Sequence, residues 1–165
     1  MQNNPMNELP TSKIVSNLNK PLICIILGNL IYAIISFTSL PDEIPIHFNL
    51  AGEADNWGNK ALIFILPLMF KVIFLILYFV SKSPSMINYP VKVTEENAID
   101  LYKLGRLVLT IMNVEMALIM TALTVVMIQT AKGNITGTGL LIPIIIALPI
   151  ITIIIFMIKI KKMAS

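Results

Sequence analysis

The sequence is poor in charged residues. Only 13% of its 165 residues are Asp, Glu, Lys or Arg, whereas 56% are hydrophobic; soluble domains carry roughly 25% charged residues. A folded domain of this length buries only about two thirds of its surface, so the polar residues are too few to cover the remainder. A soluble globular fold is therefore excluded.

Cysteine and glycine are also scarce. Cys24 is the single cysteine, so no disulfide can form within the chain and a disulfide-rich secreted scaffold is excluded. Seven glycines are far fewer than collagen requires, and the many apolar residues exclude a disordered chain. An integral membrane protein remains. Its net charge of +3 requires no nucleic-acid partner, because lysines beside membrane spans and anionic lipid head groups account for it.

Four apolar runs are each long enough to cross a bilayer. An α-helix needs about 20 mainly apolar residues to span a hydrocarbon core of about 30 Å. The runs are unbroken, whereas the strands of a β-barrel alternate in polarity. They cover residues 21–40, 61–80, 107–130 and 140–158. We therefore predict an all-α, multi-pass membrane protein with four transmembrane helices between residues 21 and 158.

The basic residues predict the orientation of the chain. Nine Lys and Arg residues fall in segments 1–20, 81–106 and 159–165, and two fall in the other connections. Cytoplasmic segments carry the excess of positive charge. We therefore expect a bacterial cell membrane protein with both terminal tails and the 81–106 loop in the cytoplasm. Residues 41–60 form an outer loop, and 131–139 are expected to be a plain outer turn.

The cytoplasmic loop contains a signal for the start of a helix. Thr94 is followed by Glu95 and Glu96, which places a capping hydroxyl before acids in the first helical turn. We expect the helix to run from here into the third span, with Gly105 as a point where it can bend.

The connection between the first two spans is expected to be ordered. Pro41 ends the first helix, and Pro45 fixes a second backbone angle and disfavours helix in the residue before it. Apolar and polar residues alternate over 46–49, which predicts a short strand. Gly52 and Gly58 then permit tight turns.

This connection also contains a long motif. It reads Leu40-Pro41-x-x-Ile44-Pro45-Ile46-His47-Phe48-Asn49-x-x-Gly52-x-x-Asp55-x-Trp57-Gly58-x-Lys60. The motif resembles that of the SdpI-like family, small bacterial membrane proteins related to the sporulation-delaying-toxin immunity protein. The resemblance covers residues 40–60 directly, and four spans agree with the family's domain. It implies a protein that protects its cell from a secreted antimicrobial peptide toxin. The best-known member of the family, which has two further spans, also signals the presence of the toxin by holding a cytoplasmic transcriptional repressor at the membrane.

The polar and aromatic residues of the outer loop are the candidate toxin-binding residues. They are His47, Asn49, Asp55, Trp57 and Lys60. Four acids against one lysine give the loop a net charge of −3 with its histidine neutral, which can attract a cationic peptide. Simpler interpretations exist for two of them: tryptophan is a common anchor at the head-group level, and the histidine can simply satisfy backbone groups.

A metal site is the weaker interpretation of the same loop. His47 and Asp55, with Asp42, Glu43 and Glu53, offer ligands for Zn²⁺ or Mn²⁺, but the loop has one histidine and no paired helical spacing. A membrane-embedded, metal-dependent hydrolase is therefore the last of three functional hypotheses. We expect no cofactor and no enzymatic activity, since no serine or cysteine nucleophile lies in a recognisable motif.

Two ionisable residues lie within the apolar runs. Lys71 is in the middle of the second run and Glu115 is in the third. At about 1.5 Å rise per residue, their depths in the bilayer agree within a few ångströms. An unpaired charge there costs at least about 2.5–3.5 kcal/mol. We therefore predict that the two side chains pair or share a water-filled pocket, which would also suit the second functional hypothesis, a small transporter or channel. The alternative is that Lys71 reaches outward to the interface and Glu115 is protonated.

Other polar residues indicate how the helices face one another. Asn29 and Ser36 are seven residues apart and share one side of the first span, which should turn inward. Asn113 is two positions from Glu115, so it should contact a different helix.

Overall fold

The computed structural model describes residues 11–164. It contains four helices, α1 (Lys13–Phe37), α2 (Ile65–Lys82), α3 (Ala98–Ala131) and α4 (Leu141–Ala164), and two strands, β1 (Glu43–Phe48) and β2 (Ala54–Asn59). A 3₁₀ turn, Lys60–Phe64, leads into α2, and another, Pro84–Met86, follows it. All four helical segments are long and apolar enough to cross a membrane. The predicted all-α fold with four spans is confirmed.

Helix α1 begins earlier than the apolar run. The hydroxyl of Ser12 accepts a hydrogen bond from the Val15 N–H at 3.3 Å and caps the helix, which starts at Lys13 rather than Pro21. Hydropathy locates the membrane core, whereas a cap sets the helix end. Residues 1–10 of the predicted N-terminal tail lie outside the described residues.

Helix α3 begins one turn later than predicted. Thr94 and Asn97 exchange hydrogen bonds between side chain and backbone, and the helix starts at Ala98. Its 34 residues give a length of about 50 Å, so part of the helix extends beyond a hydrocarbon core of about 30 Å.

Helix α3 is the centre of the bundle. It packs against α1, α2 and α4, whereas α4 packs mainly on α3. None of the most apolar 18-residue window of α4 is buried within the chain, so this helix offers most of its surface to lipid. The antiparallel order of the helices places residues 38–64 and 132–140 at one end of the bundle, which we call the hairpin end. The opposite end, with the first and last described residues and the 83–97 connection, is the terminal end.

The core consists of three apolar clusters along the bundle. The cluster at the hairpin end contains Ala33, Leu40, Ile44, Ile63, Met127 and Ile128. The central cluster contains Leu22, Phe70, Phe74 and Ala117. The cluster at the terminal end contains Tyr89, Leu101 and Ile160. On α1, Asn29 and Ser36 are both buried, as their shared position on one side of the helix predicted.

The 83–97 connection folds back onto the bundle. Tyr89 is buried, and its hydroxyl donates a hydrogen bond to the Pro84 carbonyl at 3.0 Å. Burial, together with the neighbouring Tyr102, raises the pKa of Tyr89 to about 12. A Cβ at Gly105 would lie 2.3 Å from the Tyr89 hydroxyl oxygen. Helix α3 is continuous through Gly105, and the missing side chain of this glycine provides room for the tyrosine.

Candidate functional site

The two strands form an antiparallel hairpin that is seated on the helix ends. Glu43 pairs with Asn59 and Pro45 with Trp57, and the register becomes irregular around His47. Ile44 is fully buried in the apolar cluster at the hairpin end. The expected ordered loop is therefore a hairpin; the sequence predicted its first strand and missed the second, whose polar residues lack an alternating pattern.

Asn49 closes the turn of the hairpin. Its side-chain oxygen accepts from the Glu53 N–H at 3.0 Å, and its amide donates to the Glu53 carboxylate at 3.2 Å. The Gly52 N–H donates to the Asn49 carbonyl, and Gly52 has a φ of +83°, which favours glycine. Asn49 is thus part of the scaffold of the hairpin.

His47 and Asp55 face water. The His47 Nδ1 and an Asp55 carboxylate oxygen are 2.5 Å apart, and the two side chains are 63% and 42% exposed. Such an exposed pair contributes at most about 1 kcal/mol to folding. Because both side chains are exposed, their polar atoms are accessible to a ligand. Among residues 11–164, no group of three His, Cys, Asp or Glu side chains lies close enough to hold a metal ion.

Lys60 fastens the base of the hairpin. Its ammonium lies 3.0 Å from an Asp42 carboxylate oxygen and 5.5 Å from the centre of the Phe37 ring on α1. Its backbone N–H donates to the Asp42 carbonyl at 2.9 Å. These contacts give Lys60 a role in positioning the hairpin over α1.

The connection between α3 and α4 forms the other half of the site. The Thr138 N–H donates to the Gly52 carbonyl at 2.7 Å, and Glu53 forms a β-bridge with Gly137. A Cβ at Gly137 would lie 2.0 Å from the Gly52 oxygen, so the two backbones meet where neither residue has a side chain. The connection expected to be a plain turn is thus joined to the hairpin. We call residues 41–60 together with 132–139 the hairpin cap.

A cavity of about 610 Å³ lies between the two halves of the hairpin cap. The residues that line it include Trp57, Glu53 and the threonines Thr130 and Thr136. Trp57 is 48% exposed, whereas Thr130 is 8% exposed and its hydroxyl has no hydrogen-bond partner. An aromatic residue and a carboxylate together suit the cationic side chain of a ligand. Of the predicted toxin-binding residues, Trp57 lines this cavity. Glu53 was considered only as a metal ligand, and Thr130 was missed.

The predicted pair of intramembrane charges is not formed. Lys71 is exposed on the surface of α2, and the ion pairs within 4.0 Å among the described residues do not include it. Glu115 is 7% exposed, accepts a hydrogen bond from the Thr152 hydroxyl of α4, and has its second carboxylate oxygen unpartnered. Asn113, not Glu115, faces α2 and donates to the Phe74 carbonyl at 3.5 Å. Two positions along a helix turn the side chain by about 200°, so matching depth did not ensure matching direction.

Comparison with known proteins identifies one family segment. Residues 24–70 match the family described as a domain of unknown function, DUF1648. This DUF1648 segment runs from α1 through the hairpin into α2, and the family occurs in small membrane proteins.

Similarity to individual proteins is more distant. A protein of Archaeoglobus fulgidus, described as an uncharacterized protein, is 29% identical over 68 residues, or 36% of this chain. The match spans 37% of that relative's own length. No solved structure matches the chain significantly.

Proposed function

We propose that this membrane protein is an SdpI-like immunity protein that protects its cell by capturing an antimicrobial peptide at the hairpin cap. The observation that carries the proposal is the cavity within the cap, where Trp57 and Glu53 of the DUF1648 segment face the α3–α4 connection. Binding there is stoichiometric and requires no chemical reaction.

The distribution of charge favours an outward-facing cap. Nine of the twelve Lys and Arg residues belong to segments at the terminal end, and two belong to the hairpin cap. Under the positive-inside rule the terminal end is cytoplasmic, and the cap then meets peptides that arrive from outside. Four acids against two lysines leave the cap with a net charge of −2, with its histidine neutral.

The cavity supplies more affinity than the charge alone. Exposed charges give a weak attraction that salt screens. A cation over an aromatic ring contributes about 0.5–1 kcal/mol at an exposed site and more when water is excluded. Trp57 and Glu53 can therefore hold one lysine or arginine of the peptide in place. His47 and Asp55 add accessible polar groups on the hairpin surface.

A challenge assay tests the proposal. Cells with and without the protein are exposed to a panel of cationic membrane-active peptides, and the inhibitory concentration of each is measured. We expect the protein to raise that concentration for at least one peptide, and Trp57→Ala and Glu53→Gln to abolish the gain. Glu43→Gln is the matched control, because Glu43 is an exposed acid of the same cap that does not line the cavity.

Two outcomes would count against this function. If Glu43→Gln abolishes protection as fully as Glu53→Gln, general charge and not the cavity is responsible. If the wild-type protein protects against none of the peptides, the immunity role is refuted. Orientation is tested separately: with Cys24 replaced by serine, Asn56→Cys should react with an impermeant maleimide in intact cells, and reaction only after permeabilisation would place the cap inside.

A further inference from the structure

A second cavity lies at the terminal end, between the ends of α1, α3 and α4. Its volume is about 480 Å³. Its lining includes three apolar residues, Leu104, Leu107 and Met163, which we call the apolar floor, and three lysines, Lys103, Lys159 and Lys162, which we call the lysine rim. It is distinct from the cavity of the hairpin cap, which lies at the opposite end of the bundle.

The position of this terminal groove matches the boundary between head groups and acyl chains. Leu107 begins the third apolar run of the sequence, so it lies where hydrocarbon begins. Lys159 and Lys162 follow the last apolar run, in the final turns of α4. The lysine rim is therefore at head-group depth, and the apolar floor reaches through Leu107 to the depth at which the acyl chains begin.

The charge of the rim is positive. Among residues 11–164, Asp100 is the only acid that lines the groove, and its carboxylate lies 3.4 Å from the Lys103 ammonium with both side chains exposed. The three lysines exceed this acid by two charges. Basic pockets between transmembrane helices on the cytoplasmic side suit anionic lipid head groups. A free inorganic anion would contact the lysines but not the apolar floor, whereas a phospholipid would contact both.

We propose that the terminal groove binds one anionic phospholipid, with its phosphate on the lysine rim and the start of an acyl chain on the apolar floor. Binding at this site would fasten α1, α3 and α4 to one another at the terminal end. This is significant for α4, which packs mainly on α3 and offers little buried surface of its own. The proposal does not depend on the function of the hairpin cap.

Native mass spectrometry of the purified full-length chain in an uncharged detergent tests the site. Phosphatidylglycerol, phosphatidylcholine and inorganic phosphate are titrated in separate arms. We expect one phosphatidylglycerol to remain bound under conditions that remove phosphatidylcholine, and phosphate to compete poorly. At about fivefold per lysine, the combined change Lys103→Gln and Lys159→Gln should weaken phosphatidylglycerol binding about 25-fold.

Lys161→Gln is the matched control, because Lys161 is exposed in the same turn of α4 but does not line the groove. It should leave phosphatidylglycerol binding within about twofold, because solvent screens an exposed lysine that lies outside the groove from the bound head group. Fluorescence of Trp57 verifies that each variant is folded. Equal weakening by Lys161→Gln, equal retention of phosphatidylcholine, or displacement of the lipid by phosphate at equal concentration would overturn the proposal.

Discussion

Replacing Gly137 by alanine should detach the two halves of the hairpin cap. The missing side chain allows the α3–α4 connection to lie against the hairpin turn, where the Thr138 N–H reaches the Gly52 carbonyl at 2.7 Å. The added Cβ would lie 2.0 Å from that carbonyl oxygen, and side-chain Cβ atoms essentially never approach within 3.0 Å. One backbone must therefore move by at least about 1 Å, which breaks the hydrogen bond.

The cost of Gly137→Ala follows from what that movement exposes. The lost hydrogen bond contributes about 0.5–1.5 kcal/mol, and a buried N–H left without a partner costs about 1–3 kcal/mol. Thr138 is only 8% exposed, so we expect the free energy of unfolding to fall by about 1–3 kcal/mol. The helices should stay packed, because Ile44 still seats the hairpin on its apolar cluster. The loss is thus a local opening of the cap.

Trp57 reports this opening directly. It is the only tryptophan of the chain, lines the cavity and is 48% exposed. Acrylamide should quench its fluorescence more strongly in Gly137→Ala than in the wild-type protein, and thermal unfolding followed at the same residue should begin at a lower temperature.

Two other glycines provide matched controls. Gly133 lies in the same connection with a φ of +73° and open space around its Cβ position, so Gly133→Ala should cost about 1–2 kcal/mol of backbone strain without changing the quenching of Trp57. Gly28 has open space within α1, so Gly28→Ala should preserve or raise stability by up to about 1 kcal/mol. Unchanged quenching and melting in Gly137→Ala, or an equal change of quenching in Gly133→Ala, would refute the reasoning.

Three further predictions concern the terminal end and the membrane interior. Gly105→Ala should destabilise the protein by about 1–3 kcal/mol in thermal or denaturant unfolding, because its Cβ would lie 2.3 Å from the Tyr89 hydroxyl; wild-type stability would contradict this. Because the folded state raises the pKa of Tyr89 to about 12, the unfolded chain, with its ordinary pKa of about 10, ionises first. The contribution of Tyr89 to the stability of the folded state is therefore complete below about pH 10 and declines up to about pH 12. Tyr89→Phe should show a smaller decline of the unfolding midpoint over this range, and identical profiles would exclude the effect. Thr152→Val should cost about 1–3 kcal/mol by leaving the Glu115 carboxyl without its donor, and adding Glu115→Leu should recover part of that loss, so additive costs in the double-mutant cycle would show that the contact is unimportant.

Local physical chemistry made several elements predictable. The four spans follow from the length of the apolar runs. Within a membrane the backbone N–H and C=O groups must pair with one another, and a single apolar segment can satisfy this requirement only as a helix. Strand β1 follows from Pro45 and the alternation after it, and the burial of Asn29 and Ser36 follows from their spacing on one helix. In each case neighbouring residues were sufficient for the inference. The sequence did not distinguish a binding role for Trp57 from a membrane-surface anchor, because both roles have the same sequence signal.

Only the tertiary structure decided which distant segments meet. The rise per residue places Lys71 and Glu115 at similar depth, but the packing of α3 turns Glu115 toward Thr152 of α4. The cavity of the hairpin cap likewise depends on the contact between Gly52 and Gly137, which neither segment signals by itself. Hydropathy determines how deep a residue lies along the membrane normal. The direction in which it faces around its helix depends on the neighbouring helices, and the packing of all four helices together determines which neighbours these are.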